Sequence, residues 1–241
     1  MTKQNNILAI IPARAGSKRL PNKNIKLLAG KPLVCWTIDA AKNAKLDMDI
    51  VVSTDSQMVA DIAVSCGADA PFLRPAELAT DTASTFDVLA DTINKLADQG
   101  RHYEYLMLLQ PTSPLRRSDH IEQAFEVLSK EGVKSVVSVT EVDHPVEWTM
   151  TLPEDYCLDS FIANQLDQLK IRSQDLPKRY QLNGAIMCGR INDIMAEKTF
   201  YLQRGTFAYV MAKQFSVDID YAEDFGYAEF VVNNLGSNLN A

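Results

Sequence analysis

ILAIIPA at residues 7–13 is the feature that most restricts the fold: a continuous apolar run of strand length followed at once by a glycine-containing, strongly cationic loop. An unbroken run of this length suits a strand buried on both faces rather than an alternating surface strand. A helix-like segment, PLVCWTIDAAKNA, then opens at Pro32. DIVVST (49–54) reads as a second strand, with Asp55 placed to cap the helix after it, and residues 70–73 read as a short strand. A helix from about Ser84 to Asp98 leads into YLMLLQ (105–110), another starts at Asp119, and SVVSVTEV (135–142) is again strand-like. This βαβα rhythm predicts a largely parallel sheet covered by helices on both faces.

After His144 the rhythm breaks. Residues 144–183 hold Pro145, Pro153 and Pro177 with no clear period, and a stretch so long inside a compact domain is usually functional or docks elsewhere. Order returns with AIMCGR (185–190), FAYVM (207–211), FSVDI (215–219) and a final amphipathic helix from near Tyr221. No repeat, low-complexity tract or linker interrupts residues 1–241, which read as a single domain carrying 144–183 as an excursion.

The loop PARAGSKRLPNKN leaves the carboxyl end of the first strand, where open α/β sheets bind ligands. Gly16 lets backbone amides approach an anion, and Arg14, Lys18, Arg19 and Lys23 concentrate positive charge in a chain whose formal net charge is −7. Such groups suit a triphosphate. The loop is neither a Walker A motif nor a GxGxxG turn. In SVDIDYAEDF (216–225), Asp218 and Asp220 would share one face of a strand. Carboxylates so close repel unless a cation separates them, and hard oxygen donors favour Mg²⁺; alternatively they face water, or Asp220 caps the last helix. LLQPTSPLR (108–116) offers the Gln110 amide to a sugar or base and Arg116 to an anion, whereas Arg172, Lys178 and Arg179 either hold a carboxylate or form a solvated face.

The acidic balance argues against a general nucleic-acid binder. No apolar run approaches the roughly 20 residues that span a bilayer, and the N-terminal run is too short for a signal peptide, which points to a cytoplasmic protein with no membrane partner. Cys35, Cys66, Cys157 and Cys188 are widely spaced, arguing against zinc or a disulfide framework; three of them read as small reduced core residues. His102, His120 and His144 read as surface residues.

Five ordered blocks give the chain a family resemblance: IPARAGSKRLPNKNIKLLAGKPL, FLRPAELATDTAS, LLQPTSPLR, RSQDLPKRYQLNGAI and SVDIDYAEDF. Together they resemble the CMP-N-acylneuraminate cytidylyltransferases, over nearly the whole chain; KDO cytidylyltransferases share the opening loop but match the later blocks less. The resemblance implies a three-layer α/β/α fold with a mostly parallel mixed sheet, nucleotide-diphospho-sugar transferase-like, plus an extended dimerisation arm at 144–183 in a homodimer. It places Arg14, Ser17, Lys18, Lys23, Asn24, Arg74 and Ser84 on CTP, and Gln110, Arg172 and Tyr180 on an acidic nine-carbon sugar. Asp218 and Asp220 would hold Mg²⁺, or Mn²⁺ in its stead; Arg172, Lys23 and the two aspartates would form the catalytic set. The implied reaction is attack of the sugar's anomeric hydroxyl on the α-phosphorus of CTP. One departure stands out: where some members carry a basic residue three positions after the arm's histidine, this chain has Glu147. That opens the sugar's identity to legionaminic acid, pseudaminic acid or KDO. A protein of another class, a CTP-binding sensor without catalysis, would bind the nucleotide but release no pyrophosphate.

Overall fold

The computed structural model describes residues 6–17 and 19–235. The chain begins with β1 (Ile7–Pro12), followed by a short hairpin of β2 (Leu27–Leu28) and β3 (Lys31–Pro32), then α1 (Leu33–Lys42), β4 (Met48–Ser53) and α2 (Gln57–Ser65). Next come α3 (Thr85–Asp98), β5 (Tyr105–Leu108), α4 (Ser118–Leu128) and β6 (Ser135–Glu141). α5 (Asp159–Leu169) precedes β7 (Tyr180–Arg190), α6 (Ile191–Glu197), β8 (Thr206–Val210) and α7 (Ala222–Leu235).

The main sheet runs β4-β1-β5-β7-β6-β8. β1 pairs in parallel with β4 and β5, and β6 with β8, while β7 is antiparallel to both of its neighbours. The alternation within β1 explains the layers. Ala9 and Ile11 pack with Val34 and Ile38 of α1, Val59 of α2 and Ile121 of α4. Leu8 and Ile10 pack on the other side with Leu89 and Leu96 of α3 and Ile194 of α6. An apolar run was needed because both faces are covered. The chain goes from β1 to β4 on one side and then crosses to β5 on the other, so a topological switch point lies at the carboxyl ends of β1 and β5.

Several local expectations are corrected. Ser56, not Asp55, caps α2, its hydroxyl accepting the Val59 amide. Residues 70–73 form no strand; Asp69 and Leu73 only bridge to Val51 and Thr54. Residues 216–220 form no strand either, because the Ile219 amide donates to the Thr112 carbonyl (2.8 Å) instead of to a sheet neighbour. The 144–183 excursion carries the regular helix α5, and β7 starts before its expected end. His120 is buried, edge-on to Phe215, and burial lowers its pKa. Cys35 and Cys66 form a disulfide with Cα atoms 5.8 Å apart. α1 and α2 pack on the same face of β1, which brings together cysteines separated by 31 positions.

Candidate active site

The cationic loop is built onto the switch point by backbone bonds before any side chain faces a ligand. The Ala13 amide donates to the Ser53 carbonyl (2.9 Å), and the Ala15 amide donates to Asp55 Oδ1 (2.8 Å). Buried Asn24 turns inward, its Nδ2 donating to the Arg14 carbonyl (2.8 Å). Leu20 anchors the far limb beside Leu33 of α1, Ile219 and Phe225 of α7. Asn24 thus shapes the loop from within; the expectation that it meets the nucleotide directly has to pass through that role. Ser17 is half-buried in the same loop, and Lys18 lies outside the described residues.

Each described cation of the loop meets a carboxylate. Arg14 Nη2 is 2.7 Å from Asp81 Oδ1, and its Nη1 donates to the Ala79 carbonyl (3.3 Å). Arg19 Nη1 is 2.7 Å from Asp220 Oδ2. Lys23 Nζ donates to the Ile219 carbonyl (2.6 Å) and to Asp220 Oδ1 (3.2 Å). The loop and the aspartate segment, remote in sequence, therefore form one cluster. Asp224 takes the capping role considered for Asp220: its Oδ2 accepts the amides of Asp220 and Tyr221 (2.9 and 2.8 Å) at the start of α7.

Asp218 is exposed to solvent yet closely surrounded by protein. Desolvation raises its pKa, and Asp220 and Asp224 push the same way, against a hydrogen bond with Thr112 and the charge of Lys23. The charge of Asp220 reaches Asp218, so the two carboxylates lie within electrostatic range of each other although no strand aligns them. Mg²⁺ commonly takes one or two carboxylates together with substrate phosphates, and this pair fits that donor set. Among the described residues, no group of three or more His, Cys, Asp or Glu forms a self-sufficient metal cage.

Arg74 is buried and donates to the Ser53 carbonyl (2.5 Å) and hydroxyl (3.2 Å), so it braces the carboxyl end of β4; desolvation lowers its pKa. With Arg14, Thr80 and Thr85 it lines a cavity of about 220 Å³. The Ser84 hydroxyl is engaged in capping α3, accepting the Asp87 amide at 3.0 Å. Gln110 lies on a second cavity of about 210 Å³ with Met187, Phe200 and Tyr201. Gly184, at φ +68°, lets the chain pass the Gln110 amide; a Cβ there would meet Nε2 at 3.4 Å in a backbone region that disfavours side chains. Arg116 is not offered to an anion. It is buried, Nη1 donating to the carbonyls of Ala185 (2.6 Å) and Gln110 (3.2 Å), and burial lowers its pKa to about 9.

Arg172 and Tyr180 stand apart from this cluster. Arg172 is exposed in the arm between α5 and β7, and Tyr180 is exposed at the start of β7, opposite Glu141. Glu147 accepts from Arg179 Nε (3.3 Å) and Nη2 (2.9 Å), which lowers its pKa. Asp81 and Thr112 shape the site without having been singled out from sequence, and Asp55 does so in a role other than the expected cap. Asp55 and Thr112 gave one signal, a position just past an expected strand, and Asp81 gave none of that kind.

Fold and site together define an α/β/α protein with a nucleotide-diphospho-sugar transferase-like fold, in which a cationic loop meets a segment carrying two aspartates. The Cytidylyltransferase family profile matches residues 8–236, and the chain belongs to that family. It is 42% identical over 221 residues to N-acylneuraminate cytidylyltransferase of Streptococcus agalactiae serotype V, covering 90% of this chain and 51% of that protein. The chain thus spans about half the length of such relatives. It is 40% identical to CMP-N,N'-diacetyllegionaminic acid synthase of Legionella pneumophila, covering 92% of this chain and 94% of that one. A solved structure of CMP:2-keto-3-deoxy-manno-octonic acid synthetase complexed with CTP superposes with a TM-score of 0.68 at 14% identity, over 94% of this chain and 98% of that one, which supports the fold alone. Among the described residues no helix is long and apolar enough to cross a membrane.

Proposed function

We propose that this chain transfers CMP from CTP to the anomeric hydroxyl of a nine-carbon 2-keto acid sugar of the N-acylneuraminate type. The observation that carries the proposal is the direct contact of Lys23 with Asp220, which supports reading the cationic loop and the aspartate pair as one site. In the reaction a bond forms between the sugar oxygen and the α-phosphorus, and the bond from that phosphorus to the bridging oxygen breaks. Pyrophosphate leaves, and the hydroxyl proton passes to solvent or a phosphate oxygen. The chain's own contribution is positioning and charge neutralisation. Lys23, Arg14, Arg19 and the loop amides would hold the phosphates, exchanging their carboxylate partners for the nucleotide. Gln110 would face the sugar. Asp218 and Asp220 would hold Mg²⁺ or Mn²⁺, which when bound supplies neutralisation of the charge developing on the phosphates.

Arg172 and Tyr180 would serve the sugar from the arm. Trp148, Met150, Leu152 and Tyr156 leave apolar surface exposed along it, which supports packing on a second copy in a homodimer. A cytoplasmic setting belongs to the proposal because CTP is an intracellular metabolite. A second reading, a legionaminic or pseudaminic acid as the sugar, is favoured by the pairing of Glu147 with Arg179, which gives that arm position a carboxylate rather than a free cation. Pyrophosphate release from CTP, measured over neuraminic, legionaminic, pseudaminic and KDO acceptors, tests both. Release with one nine-carbon acid at a clearly higher kcat/KM supports transfer and names the sugar. Stabilisation by CTP with no release for any acceptor would overturn transfer in favour of a sensor.

A further inference from the structure

The chain just past β4 holds the cationic loop and Arg74 together, and one side chain there has no part in the functional reading. Three consecutive residues of the loop are each fastened. The Ala13 amide donates to the Ser53 carbonyl (2.9 Å), the Arg14 carbonyl accepts Asn24 Nδ2 (2.8 Å), and the Ala15 amide donates to Asp55 Oδ1 (2.8 Å). Arg74 grips the same strand end, its amide donating to the Thr54 carbonyl (2.7 Å) and its guanidinium to Ser53. Of the two ties from this strand end to the loop, only that of Asp55 is made by a side chain, so a substitution can delete it. Gly16 does not set the path by itself: it lies outside the left-handed region, and a Cβ on it would meet nothing within 4 Å. An amide bound to a carboxylate is among the stronger hydrogen bonds, and a loop ordered beforehand binds an anion at lower cost. The charge of Asp55 also opposes the desolvation that lowers the pKa of Arg74, so acceptor and charge are two separable contributions.

We infer that Asp55 is a positioning residue for the phosphates of the nucleotide: by accepting the Ala15 amide it sets the path of the loop backbone into Gly16 and Ser17 and the place from which Arg14 reaches out. The inference rests on the reading of this loop as the CTP site and deepens it. A hydrogen-bond acceptor at position 55 is required, whereas its negative charge is not.

Asp55→Ala deletes the acceptor, Asp55→Asn keeps an acceptor without the charge, and Lys23→Met serves as the reference. Two readouts are needed: calorimetric CTP affinity of the metal-free protein, and kcat against KM for CTP in pyrophosphate release. Titrations are run well below each melting midpoint, so that lowered stability does not enter the affinity. Asp55→Ala should weaken CTP binding about tenfold, the scale of one charged hydrogen bond, and the loss should appear in KM for CTP rather than in kcat. Asp55→Asn should lie within about threefold of wild type in both readouts, because its amide oxygen still accepts. Wild-type affinity of Asp55→Ala beside a defective Lys23→Met would overturn the positioning role. Equal losses in the Ala and Asn variants would overturn it too, in favour of the charge, as would a loss in kcat with KM unchanged. Wild-type behaviour of Lys23→Met itself would instead overturn the reading of the loop beneath it. Should Asp55→Ala fail to fold, Asp55→Val, which also lacks the acceptor, takes its place under the same criteria.

Discussion

Lys23 Nζ lies 3.2 Å from Asp220 Oδ1 although the two residues are 197 positions apart in sequence. The lysine side chain is only 12% exposed, and it also holds the Ile219 carbonyl, so its ammonium is fixed in place by the protein itself. Preorganisation of this kind lowers the ordering cost of binding.

Replacing Lys23 by Met should therefore weaken CTP binding about 10- to 100-fold, the range for losing a charged hydrogen bond. Titration calorimetry at fixed ionic strength measures it. An unchanged affinity would remove Lys23 from the phosphate site.

Asp220→Ala frees both Arg19 and Lys23 from their shared carboxylate. Metal-free CTP binding should hold or tighten a few-fold, while kcat at saturating Mg²⁺ drops about 100-fold or more; Asp218→Ala should show the same drop in kcat. Undiminished kcat in both variants would end the metal assignment.

Arg172→Ala should spare CTP affinity and reduce kcat/KM for the sugar about 10- to 100-fold, as expected for losing a charged contact to a carboxylate. A defect confined to CTP binding would contradict the arm's assignment to the sugar.

His120 supplies a pH dependence of stability. Its folded pKa is depressed below the ordinary 6.5 by burial, so the unfolded chain binds the extra proton first. Its contribution is complete above about pH 6.5 and is lost as pH falls toward the folded value. Melting temperature measured from pH 7.5 down to 5.5, conditions set about the ordinary histidine pKa, should fall less steeply in His120→Asn. Parallel slopes in the two proteins would remove His120 from that role.

The Cys35–Cys66 disulfide closes a loop of 31 positions, for which chain entropy predicts stabilisation of about 3–4 kcal/mol. Reduction should lower the melting temperature, and alkylation without reductant should label exposed Cys157 but neither member of the pair. Labelling of Cys66 in the untreated folded protein would show the thiols free.

Much of the fold was legible because apolar runs such as 7–13 and 105–110 record burial on both faces, and the cationic loop sits where strand ends collect ligands. Other features depend on contacts between distant segments. Ile219 looks like a strand residue in SVDIDY, but its amide is taken by Thr112, so tertiary hydrogen bonding overrides local pattern. Cys35 and Cys66 have the apolar neighbours of ordinary core cysteines; only the packing of two helices on one sheet face pairs them. α5 escaped notice because none of its residues is buried within the chain, leaving no sharp apolar stripe. Asp55 looked like a helix cap and turned out to receive the Ala15 amide, a contact 40 positions away.

The arm emerges between β6 and β7, two antiparallel neighbours on the far side of β5 from β1. Insertions, deletions or a new sequence there leave untouched the β1–β4 and β1–β5 pairings on which the cationic loop is mounted. The molecule is in this sense divided into a fixed chuck and an interchangeable bit. Residues 144–179 can therefore vary without disturbing the mount of the cationic loop, and swapping that segment between relatives is the natural cut for testing whether it selects the proposed acid.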